Sequence, residues 1–170
     1  MSLDASIKQN KQEILNLWLK KFTNTYPAES AQFFRNNLGQ FSNPVGYSFR
    51  VNMEKIFDEL FQECDLDKLR SYVDGITRIR AVQSFTAAEA VCFAPMLRES
   101  IWEVCGSTIS DQGLFHQWLE ITQRLEMLMN LAFDTYMSCR EQLWEQKANA
   151  LYNRTHKLLE RANVLVNTEE

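Results

Sequence analysis

Apolar residues recur every three or four positions along almost the whole chain. Ile7, Ile14, Trp18 and Phe22 share one stripe, with Leu15 and Leu19 beside it, and this predicts an amphipathic helix from about Leu3 to Thr25, stopped by Tyr26-Pro27. The segment PAESAQFFRNNL predicts a short connector helix with Pro27 at its start, Phe33 and Phe34 as its apolar residues and Gly39 near its end. In FSNPVGYSFR, Asn43 suits a helix cap, Pro44 the first helical position, and Gly46 a close backbone approach or a positive φ. Met53, Ile56, Phe57, Leu60 and Phe61 then fall at i, i+3, i+4, i+7 and i+8, the cleanest helical period in the sequence. Asp65 is placed to cap a further helix carrying Leu66, Leu69, Val73, Ile76 and Ile79 and ending near Gln83. Thr86 and Glu89 have the spacing of a capping box, so another helix starts there. Pro95 is expected to kink that helix or to start a new segment, and Gly106 to close it.

Between Leu114 and Glu170 there is neither Pro nor Gly, and Trp118, Ile121, Leu125, Leu128, Ala132, Tyr136, Cys139 and Leu143 keep one face apolar. The seam changes at Trp144: Trp144, Ala148, Leu151, Thr155, Leu158, Ala162 and Leu165 alternate steps of four and three, a heptad pattern. A continuous helix of this length, about 80 Å at 1.5 Å per residue, outreaches a domain of such size, so it either folds back or protrudes and finds a partner. The expected division is a helical domain over 1–143 and a helical extension over 144–170, with homodimerisation through the extension.

Composition narrows the class. Five glycines and three prolines in 170 residues supply too few turns for a β sandwich or barrel, and 45% hydrophobic content builds a core, so the fold is all-α, a helical bundle with a long C-terminal helix. Net charge is −4, with Lys and Arg scattered among Asp and Glu, which disfavours nucleic acid as a partner. The start of the chain lacks a signal-peptide core, and no apolar run approaches the roughly 20 residues of a membrane span, so the expected location is cytoplasmic. Cys64, Cys92, Cys105 and Cys139 show no paired spacing and read as reduced, mostly buried thiols.

Candidate chemistry is sparse. Phosphate-loop, zinc-protease and nucleophile-elbow motifs are absent, so no enzyme and no metal site is expected. His116 and His156 stand far apart; His116 reads as a surface or satisfied core residue rather than a haem ligand, and no cofactor is expected. Met127, Met129 and Met137 read as core filling. Two polar clusters in apolar surroundings carry more. ITRIRAVQSF holds Arg78 and Arg80, and LAFDTYMSCR holds Asp134, Tyr136 and Arg140. A buried ion pair between Asp134 and Arg80 or Arg78 is the structural expectation. The alternative is a small-ligand pocket between helices, lined by Tyr47, Arg78, Arg80 and Tyr136.

WLKKFTNTYP, NPVGY, RIRAVQSFTAAEAV and AFDTYMSCRE, in that order and spacing, resemble the RsbRD N-terminal domain family, with LLERANVL similar to its closing segment. The resemblance covers about residues 14 to 165, and its most specific parts are the RIRAVQ and FDTYMSCRE blocks. It implies a bacterial regulatory domain similar to the N-terminal sensor halves of stressosome co-antagonists of the RsbT kinase. It also implies a globin-like helical fold without haem, a homodimer, and a signalling or regulatory protein as partner. Because the sequence stops at Glu170, without a STAS or kinase region, the expectation is a stand-alone, non-enzymatic version.

Overall fold

The computed structural model describes residues 2–36, 39–62, 64–110 and 112–167, with side chains for all of these except 112–113 and 164–167. Within them lie α1 (Leu3–Gln9), α2 (Lys11–Thr23), α3 (Ala28–Asn36), α4 (Pro44–Leu60), α5 (Leu66–Val82), α6 (Ala87–Val91), α7 (Phe93–Ile109) and α8 (Gln112–Asn167), and no strand. The all-α bundle with a long last helix is the architecture expected from the hydrophobic period.

The boundaries follow from local chemistry, and several differ from expectation. The first predicted helix is two helices, divided at Asn10, whose backbone leaves the helical region at φ −97° and ψ 17° and whose side-chain amide shares the Ser6 carbonyl with its own backbone N–H. Asn43 caps α4 through Oδ1, with Pro44 in the first turn. Asp65 caps α5, accepting from the backbone N–H groups of Asp67 and Lys68, and those donors hold its carboxyl below the usual range. Leu66 follows the cap but is exposed, so the α5 stripe begins at Leu69. The capping box at Thr86 and Glu89 is present in both directions. Pro95 starts a new segment, the second of the two outcomes expected of it. It has no N–H to give the Val91 carbonyl, so α6 ends at Val91 and α7 begins at Phe93, which leaves Pro95 in a first turn where its missing donor is no loss. Gly106 does not close α7, which runs on to Ile109.

The helices α2, α7, α8, α5 and α4 pack each on the next, and α4 returns to α2, so they ring one core. Into it point Trp18 and Phe22 from α2, Phe49, Met53 and Phe57 from α4, Ile76 from α5, Leu97 and Ile101 from α7, and Leu128 and Ala132 from α8. Trp18 also donates its indole N–H to the Phe93 carbonyl at 2.7 Å, which ties α2 to the start of α7. Gly75 of α5 lies close against α4: a β-carbon there would lie 2.4 Å from the Asn52 amide nitrogen.

Candidate functional site

At the C-terminal end of α5 the chain makes a left-handed turn at Ser84, φ 63°. The Ser84 N–H donates to the Ala81 carbonyl and the Phe85 N–H to the Arg80 carbonyl, the double closure that satisfies the last helical acceptors. The turn folds the Phe85 ring back over the Arg80 guanidinium, 4.4 Å from its centroid. Phe22 and Tyr26 complete a cage, with the guanidinium carbon 4.0 and 4.8 Å from their ring centroids. Arg80 is fully buried. Its Nη1 donates to the Glu89 carbonyl at 2.9 Å, and its Nη2 donates to Thr25 Oγ1 at 2.6 Å and to the Phe22 carbonyl at 3.4 Å. One side chain therefore caps the C-terminal end of α2 and holds α6 against α5. A cation suits the Phe22 carbonyl, which lies at the negative end of the α2 dipole. Burial pulls the Arg80 pKa below its ordinary value and raises that of the neighbouring Tyr26.

Of the four side chains expected to share a pocket, Arg78 lines a described cavity, and the other three line none of the cavities described among these residues. Tyr47 is half-buried in the first turn of α4. Arg78 is exposed on α5, its Nε 3.0 Å from Asp74 Oδ2, and that pairing raises its pKa. It lines an open groove of roughly 340 Å³ between α5 and α8 with Asp67, Arg70, Ser71, Asp74 and Ser138. Arg80 and Tyr136 do come together, through Phe85: the Tyr136 hydroxyl donates to the Phe85 carbonyl while Arg80 lies against the Phe85 ring. The expected ion pair is not formed. Asp134 is exposed, and the Arg80 Nη1 and Nη2 groups donate to carbonyls and a hydroxyl, among three rings, instead of to a carboxylate, while its buried Nε meets no acceptor among the described residues. Arg140, from the same block, donates to the Ala81 carbonyl at 3.1 Å.

Beyond Leu143 the last helix leaves the bundle. Cys139 is buried and Leu143 half-buried, but every side chain from Trp144 to Asn163 is exposed. Of the heptad seam, Trp144, Leu151 and Leu158 stand 61, 67 and 57% exposed, while the Leu165 side chain lies outside the described residues. Met129 and Met137 are also exposed rather than core filling, because they fall on the outward face of α8.

The chain matches the family described as RsbT co-antagonist protein rsbRD N-terminal domain over residues 12–151. It belongs to that family. In this RsbRD N-terminal domain the two most specific sequence blocks meet at one junction: RIRAVQSFTAAEAV carries Arg80, the Ser84 turn and the capping box, and AFDTYMSCRE carries Tyr136 and Arg140, which close on the same turn from α8. The match ends at Leu151, so LLERANVL lies outside it. Comparison with the curated proteins and with the solved structures finds no match. No helix among the described residues is long and apolar enough to cross a membrane, and no group of three or more His, Cys, Asp or Glu among them is placed to hold a metal ion.

Sequence reasoning singled out Arg80 and Tyr136 but missed Phe22, Tyr26, Thr25 and Phe85, which surround them. The available clue was the non-glycine turn Gln83-Ser84-Phe85 between two helices, which requires something to hold it.

Proposed function

We propose that this RsbRD N-terminal domain is a non-enzymatic cytoplasmic signalling module: the bundle holds a conformational state, and the projecting part of α8 passes it on by contact. The contacts are with a second copy of the chain, across Trp144, Ala148, Leu151, Thr155, Leu158 and Ala162, and with a regulatory protein of the stressosome type. The observation that carries this reading is the run 144–163, five helical turns without a buried side chain, in which apolar residues nevertheless recur on a heptad. An exposed apolar stripe on a helix that none of the described residues covers points to another polypeptide. The Arg80 turn supports the sensory half of the reading, since α2, α5, α6 and α8 meet there and a small shift in one is felt by the others. Two helix packings separated by a few kcal/mol suffice for a switch if a partner binds them unequally.

Sedimentation velocity tests the reading. The wild type is expected to sediment as a concentration-dependent dimer, and Leu151→Glu combined with Leu158→Glu to sediment as a monomer with an unchanged melting temperature, because both leucines are exposed in the bundle's own structure. A wild-type monomer up to about 100 µM, weaker than any contact of use in a cell, overturns the self-association.

A further inference from the structure

Placing Leu151 and Leu158 at the d positions of the heptad puts Ala148, Thr155 and Ala162 at a, Tyr152 and Leu159 at e, and Lys147, Arg154 and Arg161 at g. Two properties of this arrangement go beyond a seam. The apolar face is a, d and e wide, broader than the narrow a and d strip that two coiled helices cover. Tyr152 and Leu159 are accordingly 68 and 61% exposed. The g edge is basic at three successive heptads, and none of its cations has an acidic residue three or four places away along the helix. Among the described residues none of the three forms an ion pair; Lys147 lies instead 5.4 Å from the Trp144 ring centroid.

A second copy does not complete this edge. In a parallel pair each g residue faces the partner's e position five residues on, which sets Lys147 against a tyrosine and Arg154 against a leucine. In an antiparallel pair g faces g, and cation meets cation. Self-association therefore uses a and d while leaving the e residues half-covered and the g charges without counterparts. We infer that the a, d and e face of α8, with its basic g edge, docks an amphipathic helix of another protein whose own apolar seam is flanked by Asp or Glu. Acidic flanks place carboxylates opposite Lys147, Arg154 and Arg161 while the partner's apolar residues cover Tyr152 and Leu159. Complementary edge charges of this kind set partner choice and orientation between helices. The inference rests on the reading of α8 as an interaction helix and adds the chemistry of what it recognises.

The test uses the full chain and two synthetic three-heptad helical peptides with Leu at a and d, one with Glu and its twin with Lys at e and g. By fluorescence anisotropy in about 50 mM salt, where surface charges are weakly screened, the Glu peptide is expected to bind at least about tenfold tighter than the Lys peptide. The preference should shrink in about 0.5 M salt and reverse in the triple variant Lys147→Glu, Arg154→Glu, Arg161→Glu, whose positions are exposed and whose bundle melting should match wild type. Equal binding of both peptides, a preference that survives the triple variant, or capture by phosphatidylglycerol vesicles without any preference between peptides overturns the inference. If the leucine double variant abolishes self-association while the peptides are not distinguished, the seam reading stands and this one fails. A chain that neither self-associates nor binds either peptide sinks both.

Discussion

Asn43 Oδ1 accepts the backbone N–H of Gly46 at 2.9 Å, so tightly that a β-carbon on Gly46 would stand 2.2 Å from the Asn43 amide nitrogen. Asn43 cannot retreat: it is fully buried, and its amide donates to the Phe33 and Phe34 carbonyls at 3.3 Å. The pair joins the end of α3 to the start of α4, and glycine is required for closeness rather than for a positive φ. Gly46→Ala should therefore lower stability by about 1–3 kcal/mol, as overpacking does, and the melting temperature by about 3 °C for each kcal/mol. Thermal unfolding followed by circular dichroism measures this, and an unchanged transition would show that the cap relaxes freely.

Arg80 offers a sharper contrast. A lysine keeps the charge but presents one compact ammonium in place of a planar fork that reaches Glu89, Thr25 and Phe22 while lying among three rings. Arg80→Lys should lose about 2–4 kcal/mol, close to the loss for Arg80→Met, because both leave buried carbonyls without donors. Urea unfolding of the two variants gives the comparison, and full rescue by lysine would mean that charge alone matters.

Ser84 gives a prediction of opposite sign. It occupies the left-handed conformation at the close of α5, where a side chain costs energy that glycine avoids. Its neighbours' hydrogen bonds are backbone ones and survive the change. Ser84→Gly is expected to be near neutral to stabilising, by up to about 1 kcal/mol, against a few tenths of loss from the freer unfolded chain. A clear destabilisation in the same urea assay would contradict this account of the turn.

The capping box supplies a pH dependence. The Thr86 backbone N–H, and then its hydroxyl, hold the Glu89 carboxyl below the usual range. A folded pKa below the unfolded one gives stability that is present above the unfolded value of about 4.3 and is lost as pH falls through the folded value. Wild type should lose stability relative to Glu89→Gln as pH falls from about 5 toward 3, since glutamine keeps an acceptor that does not titrate. Parallel melting curves across that window, with no narrowing between the two proteins, would remove Glu89 from the acid response.

Hydrogen exchange separates the bundle from its extension. Amides of α8 from Trp118 to Cys139, whose inward residues are buried, should exchange slowly at every concentration. Those from Trp144 to Asn163 should exchange fast in dilute protein and become protected as concentration rises, when a second copy covers the seam. Protection there in dilute monomer would contradict an exposed extension.

The hydrophobic period by itself determined that the chain is helical and where α4, α5 and the inner face of α8 lie, because a period of three to four with local caps is written in consecutive residues, whereas it left open whether the last helix folds back, and the structure shows α8 running on. The heptad that starts at Trp144 was equally legible, and the structure adds that nothing in the bundle covers it. Tertiary structure alone decided the fate of Arg80. Sequence showed a charge in an apolar helix and pointed to Asp134, the nearest plausible carboxylate in chemistry. The fold instead brings the end of α2 and the start of α6 to it, residues 55 to 58 positions before it and 9 positions after it. Carbonyls and aromatic faces satisfy a guanidinium as well as a carboxylate does, and every residue has a carbonyl, so only the packing of α2 on α5 and α6 selects which ones serve. Pro95 was legible locally, because its missing N–H falls where α7 begins, whereas Gly106 is read locally as a break and α7 nevertheless runs on to Ile109.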